Sequence, residues 1–131
     1  MSASSTNRLA RGATLVLLAI GALGLLAACG DDGPELSPQA AEGRDLIRDR
    51  GCAACHGRNG GGGVGPSWVG LHGTMEELES GEEVLVDADY LRRSIVDPSA
   101  DRVAGYSVTM PDNTLDDDEI DAVIAYIEAL G

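Results

Sequence analysis

The sequence predicts an all-α domain of three or more helices, joined by long loops and built around a buried prosthetic group. Two segments, at 38–50 and 116–130, place apolar residues at helical spacing behind residues that cap helix starts. Residues 52–73 are rich in glycine, with an unbroken run at 60–63, and read as loop. The chain also has no Phe, one Trp and three Tyr. So few large side chains leave a small domain short of native packing density unless something else fills its interior.

The first stretch stands apart from that domain. Arg8 and Arg11 give a basic start, and residues 13–28 are then almost wholly apolar, with Thr14 the only polar side chain. Such a run, ending in small residues, reads as a secretory signal. It is short for a membrane span, which takes about twenty residues. Leu26-Ala27-Ala28-Cys29 matches the bacterial lipobox, in which the Cys becomes the lipidated first residue after cleavage. The alternative is an ordinary signal or an uncleaved anchor with a chance Cys. The expected organisation is a cleaved signal at 1–28, a polar tether at 29–37 and one domain at 38–131.

Within the domain, Ser37 is placed to cap a helix with Pro38 in its first turn. Gly43, Leu46 and Ile47 share one face, and Gly51 is a stop. The acidic segment 74–83 is expected to hold a helical turn. A short helix follows at 89–96, with Tyr90, Leu91, Ile95 and Ser94 inward and Pro98 ending it. Residues 99–114 read as a loop carrying Met110-Pro111. In the last helix Asp116 and Glu119 form a capping box, and Leu115 and Ile120 a hydrophobic staple. Ile120, Val123, Ile124 and Ile127 make its apolar stripe, flanked by Tyr126 and Leu130.

Charge narrows the function classes. The chain carries 22 acids against nine basic residues, all Arg, for a formal net charge of −13. From Cys29 onward seven Arg face all 22 acids, a charge of −15. Nucleic acid and anionic membrane surfaces are therefore excluded as charge-driven partners. A basic docking partner fits the acidity; so does a simple role in solubility.

Cys52-Ala53-Ala54-Cys55-His56 is C-x-x-C-H, the attachment sequence of c-type haem. Two thiols add across the two vinyl groups on one edge of the porphyrin, and two intervening residues let the chain bridge that edge. The next residue, His56, is then held beneath the plane as the proximal ligand. A thioredoxin-like pair would need a βαβ pattern, which is absent. A zinc site would need four ligands, and His56 directly after Cys55, with His72, makes a poor tetrahedron. With Cys52 and Cys55 so committed, Cys29 has no disulfide partner. The sixth iron ligand falls among Met110, His72 and Met75. Met110 is favoured because Met110-Pro111 is a rigid pair in a loop between helices. A His/Met pair raises the potential relative to two His, which suits an electron carrier.

With C-x-x-C-H near the start of the domain and Met110 late in it, the chain resembles the class I cytochrome c domains. The stretch Asp89-Tyr90-Leu91-Arg92-Arg93-Ser94-Ile95-Val96-Asp97-Pro98, then Gly105-Tyr106, Met110-Pro111 and the pattern from Leu115 to Ile127, is similar to the cytochrome c domain fused to subunit II of some bacterial cytochrome c oxidases. That subunit also has transmembrane helices and a copper-binding β-domain, which these 131 residues do not hold. The expectation is a free-standing relative tethered by lipid. The resemblance implies the cytochrome c fold around one covalently bound haem. It implies that Gly43 lets the last helix cross closely near Tyr126. It also implies that the Pro66 carbonyl accepts a hydrogen bond from His56 Nδ1. Trp68, Tyr90 and Tyr106 are then haem contacts or propionate partners, or plain core.

The expected role is single-electron transfer in a respiratory-type chain, not enzymatic catalysis. The haem domain would sit on the periplasmic side of the bacterial envelope, with redox proteins, among them a terminal oxidase or other respiratory complex, as partners. Which membrane holds it stays open, although Gly30 after Cys29 favours the outer one by the sorting rule of enteric bacteria. The alternatives are a fixed haem subunit of a larger complex, and a peroxidase or gas-binding haem with an open sixth site. An N-terminal Cys bearing two or three acyl chains anchors stably. Cys29→Ser is therefore expected to release the protein from membranes or block its processing. An unchanged membrane fraction after cell fractionation would count against the lipid anchor.

Overall fold

The computed structural model describes residues 35–131. The signal at 1–28, Cys29 and most of the tether at 29–37 lie outside the described residues. Four helices and one small hairpin follow in chain order: α1 Pro38–Asp49, α2 Ala53–His56, β1 Met75–Glu77, β2 Glu83–Leu85, α3 Ala88–Val96 and α4 Asp117–Ala129. Among these residues no helix is long and apolar enough to cross a membrane.

Helix α1 begins as its sequence dictates. The Ser37 hydroxyl accepts from the Ala40 N–H at 3.1 Å, satisfying one donor of the first turn. Ala40, Gly43 and Ile47 are buried, and Leu46 packs half-buried beside them. The Arg50 N–H donates to the Leu46 carbonyl at 2.8 Å as the helix ends, and Gly51 turns the chain away.

Two expectations need correction. Residues 52–73 are not all loop, because Ala53–His56 form a single helical turn, α2, in which the His56 N–H donates to the Cys52 carbonyl at 3.0 Å. Four residues are too few to show a hydrophobic period. Residues 74–83 hold no helical turn. They lie in an antiparallel hairpin that pairs Met75 with Leu85 and Glu77 with Glu83, so the all-α expectation gains a two-stranded sheet. The cause is alternation that the acidic residues obscure. Leu78 and Val86 point inward, and Glu79-Ser80-Gly81 make a three-residue loop with Gly81 at φ +82°. Leu78 also bridges to Val103, and the Glu79 N–H donates to the Arg102 carbonyl at 2.8 Å. The hairpin thereby grips the loop that follows α3.

Helix α3 starts one residue before the expected Asp89. The Asp87 carboxylate caps it, accepting from the Tyr90 N–H at 2.8 Å. Tyr90, Leu91 and Ile95 are buried as expected. Ser94 is half-buried and returns its hydroxyl to the Tyr90 carbonyl at 2.9 Å. Helix α4 carries the capping box: Glu119 N–H to Asp116 at 2.9 Å and Asp116 N–H to Glu119 at 3.1 Å. Its stripe is buried, together with Ala122 and Tyr126.

The core lies where α4 crosses α1. A Cβ on Gly43 would stand 1.9 Å from the Ala122 carbonyl oxygen and 2.5 Å from its carbon. The two backbones therefore touch, one turn before the crossing near Tyr126 that the resemblance implied. Gly43→Ala should be net destabilising. Helix propensity favours Ala by about 1 kcal/mol, but overpacking against rigid backbone costs about 1–3 kcal/mol. A Cβ this close belongs at the upper end. A lower guanidinium midpoint at unchanged slope is expected; an equal or higher midpoint would mean that the helices separate freely.

Candidate functional site

One apolar cavity takes in most of the residues singled out from sequence. Cys52, Cys55, His56, Pro66, Trp68, Tyr90, Tyr106 and Met110 all line it. They come from four separate segments. Helix α2 presents the thiols and the imidazole, the glycine-rich loop presents Pro66 and Trp68, and α3 presents Tyr90. The loop from α3 to α4 presents Tyr106 and Met110. Leu91 and Ile95 of α3 and Val123 and Ile127 of α4 complete the apolar walls.

His56 is the most constrained side chain of the site. It is 8% exposed, the only buried polar or charged residue among those described. Its Nδ1 lies 2.9 Å from the Pro66 carbonyl. A carbonyl only accepts, so Nδ1 carries the proton and Nε2 keeps a free lone pair. Burial pushes the imidazole below its usual pKa, and the hydrogen bond to Pro66 opposes that shift. Trp68 stacks on the ring, with centroids 4.4 Å apart and planes at 18°. Gly65 lies so close that a Cβ there would be 2.9 to 3.1 Å from Cε1, Nδ1 and Nε2.

The thiols of Cys52 and Cys55 are free and half-buried. Burial raises the Cys52 pKa, the backbone at Cys52 lowers it, and Cys55 adds a raising effect. Tyr90 is raised chiefly by burial. Ser94 opposes that shift, Asp101 and Glu76 reinforce it, and Arg93 opposes it.

The two other candidate sixth ligands lie elsewhere. His72 is at the surface, with Nε2 3.5 Å from Glu128 Oε1. Met75 sits on β1, 55% exposed, and does not line the cavity. Among the described residues no three His, Cys, Asp or Glu gather as a metal-binding group, so the zinc reading gains no support. Cys29 lies outside the described residues.

Sequence reasoning missed three residues. Asn113 lines the cavity, and its amide donates to the Ile95 carbonyl at 2.7 Å. This ties the Met110 loop to the end of α3. Arg102 lines the cavity while pairing with Glu79 at 3.1 Å, and Arg50 lines it while pairing with Glu119. Asn113, three residues past a candidate ligand, could have been flagged by position. The role of Arg102 depends on the hairpin, which no local signal announced.

Two thiols with two residues between them, an imidazole with Nε2 free, a thioether and apolar walls form a donor set that fits a covalently attached haem. The family model for cytochrome c matches residues 40–131, well over half of the chain. No curated protein matches the chain.

Proposed function

The chain belongs to the cytochrome c family, and from that premise we propose that it is a lipid-anchored carrier of single electrons. Covalent haem c comes with the family, and Cys52, Cys55 and His56 fit its attachment motif. When bound, the haem supplies one iron that alternates between ferrous and ferric states. His56 Nε2 and Met110 Sδ would hold that iron in this reading. The observation that carries it is that His56 and Met110 reach one apolar cavity from positions far apart in the chain.

Each part of the site then has a task. Cys52 and Cys55 hold the group by thioether bonds. The Pro66 carbonyl keeps Nδ1 protonated, which leaves Nε2 as the donor to the metal. Leu91, Ile95, Val123 and Ile127 exclude water. Val64 and Val108 line the same cavity and are 54% and 57% exposed, so its mouth has an apolar rim. Electrons would pass there, beside Cys52 and Cys55, with no bond made or broken in any substrate.

The finer parts of the reading rest on sequence. Within the family, kinship would be with the cytochrome c domain of oxidase subunit II. Cys29 would carry the anchor, the domain would face the periplasm, and a respiratory complex such as a terminal oxidase would exchange electrons with it. The acidic surface favours a basic partner.

Two measurements test this reading. Absorption spectra of the purified protein should give sharp reduced-haem bands and a weak near-infrared sulfur-to-iron band in the ferric form. Met110→Ala should abolish the latter and open the reduced protein to carbon monoxide. A wild-type protein with haem but no sulfur band, binding carbon monoxide unaided, would instead indicate an open site and enzymatic or gas-binding chemistry. No haem at all, in a host that matures cytochromes, would overturn the function. Electrostatic steering is tested separately: stopped-flow electron exchange with a small basic redox protein should slow as ionic strength rises. Rates that stay flat or climb would remove the steering.

A further inference from the structure

The glycine-rich loop does more than turn the chain. Trp68 is the only Trp of the protein and is 7% exposed. Its indole lies nearly parallel to the His56 ring, with centroids 4.4 Å apart. The indole is itself held. The backbone N–H of Trp68 donates to the Gly60 carbonyl at 2.7 Å. A Cβ on Gly60 would fall 3.2 Å from indole Cε3 and 2.7 Å from Leu130 Cδ1. Gly60, at φ +74°, lets the loop close on the indole where a side chain would force them apart.

His56 thus receives three contacts from one stretch of chain. Pro66 takes the Nδ1 proton, Gly65 presses on the ring and Trp68 covers it. A single hydrogen bond at Nδ1 leaves an imidazole free to rock about the N–H···O line. A ring stacked alongside removes that freedom, because any rotation drives ring atoms into the indole. The stack also has an electrostatic sense. An indole face carries partial negative charge and favours positive charge beside it. An imidazole bound to ferric iron is more positive than one bound to ferrous iron.

We propose that Trp68 is a positioning residue for His56: it fixes the rotation of the imidazole plane and favours the oxidised state, so that it sets the electronic properties of the iron rather than merely filling the core. This rests on the reading of His56 as an axial ligand.

The test uses the holoprotein. Trp68→Leu keeps an apolar side chain but removes the stack; Trp68→Phe keeps a stacked ring. Ferric electron paramagnetic resonance reports the orientation of the axial imidazole through its g-values, and redox titration gives the potential. With covalent haem and the sulfur band retained, W68L should shift the g-values and raise the potential, while W68F should stay with the wild type. Wild-type g-values and potential in W68L would overturn the proposal, as would W68F shifting as far as W68L. If W68L does not accumulate, Trp68→Met, flexible enough to fill the gap, takes its place with the same expectations. Failure of the underlying reading shows separately: the wild-type protein would then lack covalent haem, or lack the ferric signal of an imidazole-bound iron, before any variant is made.

Discussion

Gly43 and Ala122 bring the backbones of α1 and α4 into direct contact, and the rest of the fold is arranged around that contact. A backbone touching backbone has no rotamer through which to yield, so the crossing fixes α1 against α4. Arg50 caps the end of helix α1, and Cys52 follows after a single glycine, so the α2 turn inherits its position from the crossing. Val123 and Ile127, one and five residues beyond Ala122, form the opposing wall of the cavity. Donor atoms and apolar walls are thus placed by one contact. A side chain at position 43 would displace both together.

Ion pairs bind the periphery to that frame. Arg92 of α3 reaches Asp117 at 3.3 Å, and also Asp121, both on α4. Arg93 pairs with Asp101, Arg102 with Glu79 and Arg50 with Glu119. Exposed pairs of this kind contribute about 0–1 kcal/mol each, too little to account for the fold. Their effect is on surface and register. They tie the cavity-lining loop to α3 and to the hairpin, and they commit most of the few cations internally. The charge left unpaired on the surface is chiefly acidic.

The sequence announced some of this plainly, and physics explains the division. Helix α4 was legible because its capping box, acidic first turn and stripe at 120, 123, 124 and 127 are local signals that agree. The same holds for α1, where Ser37 and Pro38 mark the start. The hairpin was hidden because charge dominates 76–83, and because its anchor, Leu78 against Val103, joins residues 25 apart in sequence. In the site, C-x-x-C-H carries its own geometry, and the Pro66 acceptor came through the family resemblance. The stacking of Trp68 on His56 and the tie from Asn113 to Ile95 had no local signature. Both are tertiary contacts between residues whose types alone suggest only core or loop.

These illegible contacts share a purpose in the proposed electron carrier. A reaction that makes and breaks no bond gains from surroundings that need not rearrange when charge moves. His56 is held by a carbonyl, a glycine backbone and an indole, none able to move without breaking the loop that bears it. Met110 comes from a loop with no regular structure, so its restraint must come from outside, and Asn113 provides it by tying that loop to the last turn of α3. The two segments are thus held by different means: the one at His56 by close packing, the one at Met110 by hydrogen bonds and ion pairs that tie its loop to α3 and to the hairpin. If His56 and Met110 hold the iron as proposed, the more closely packed side would be the one that Pro66, Gly65 and Trp68 surround.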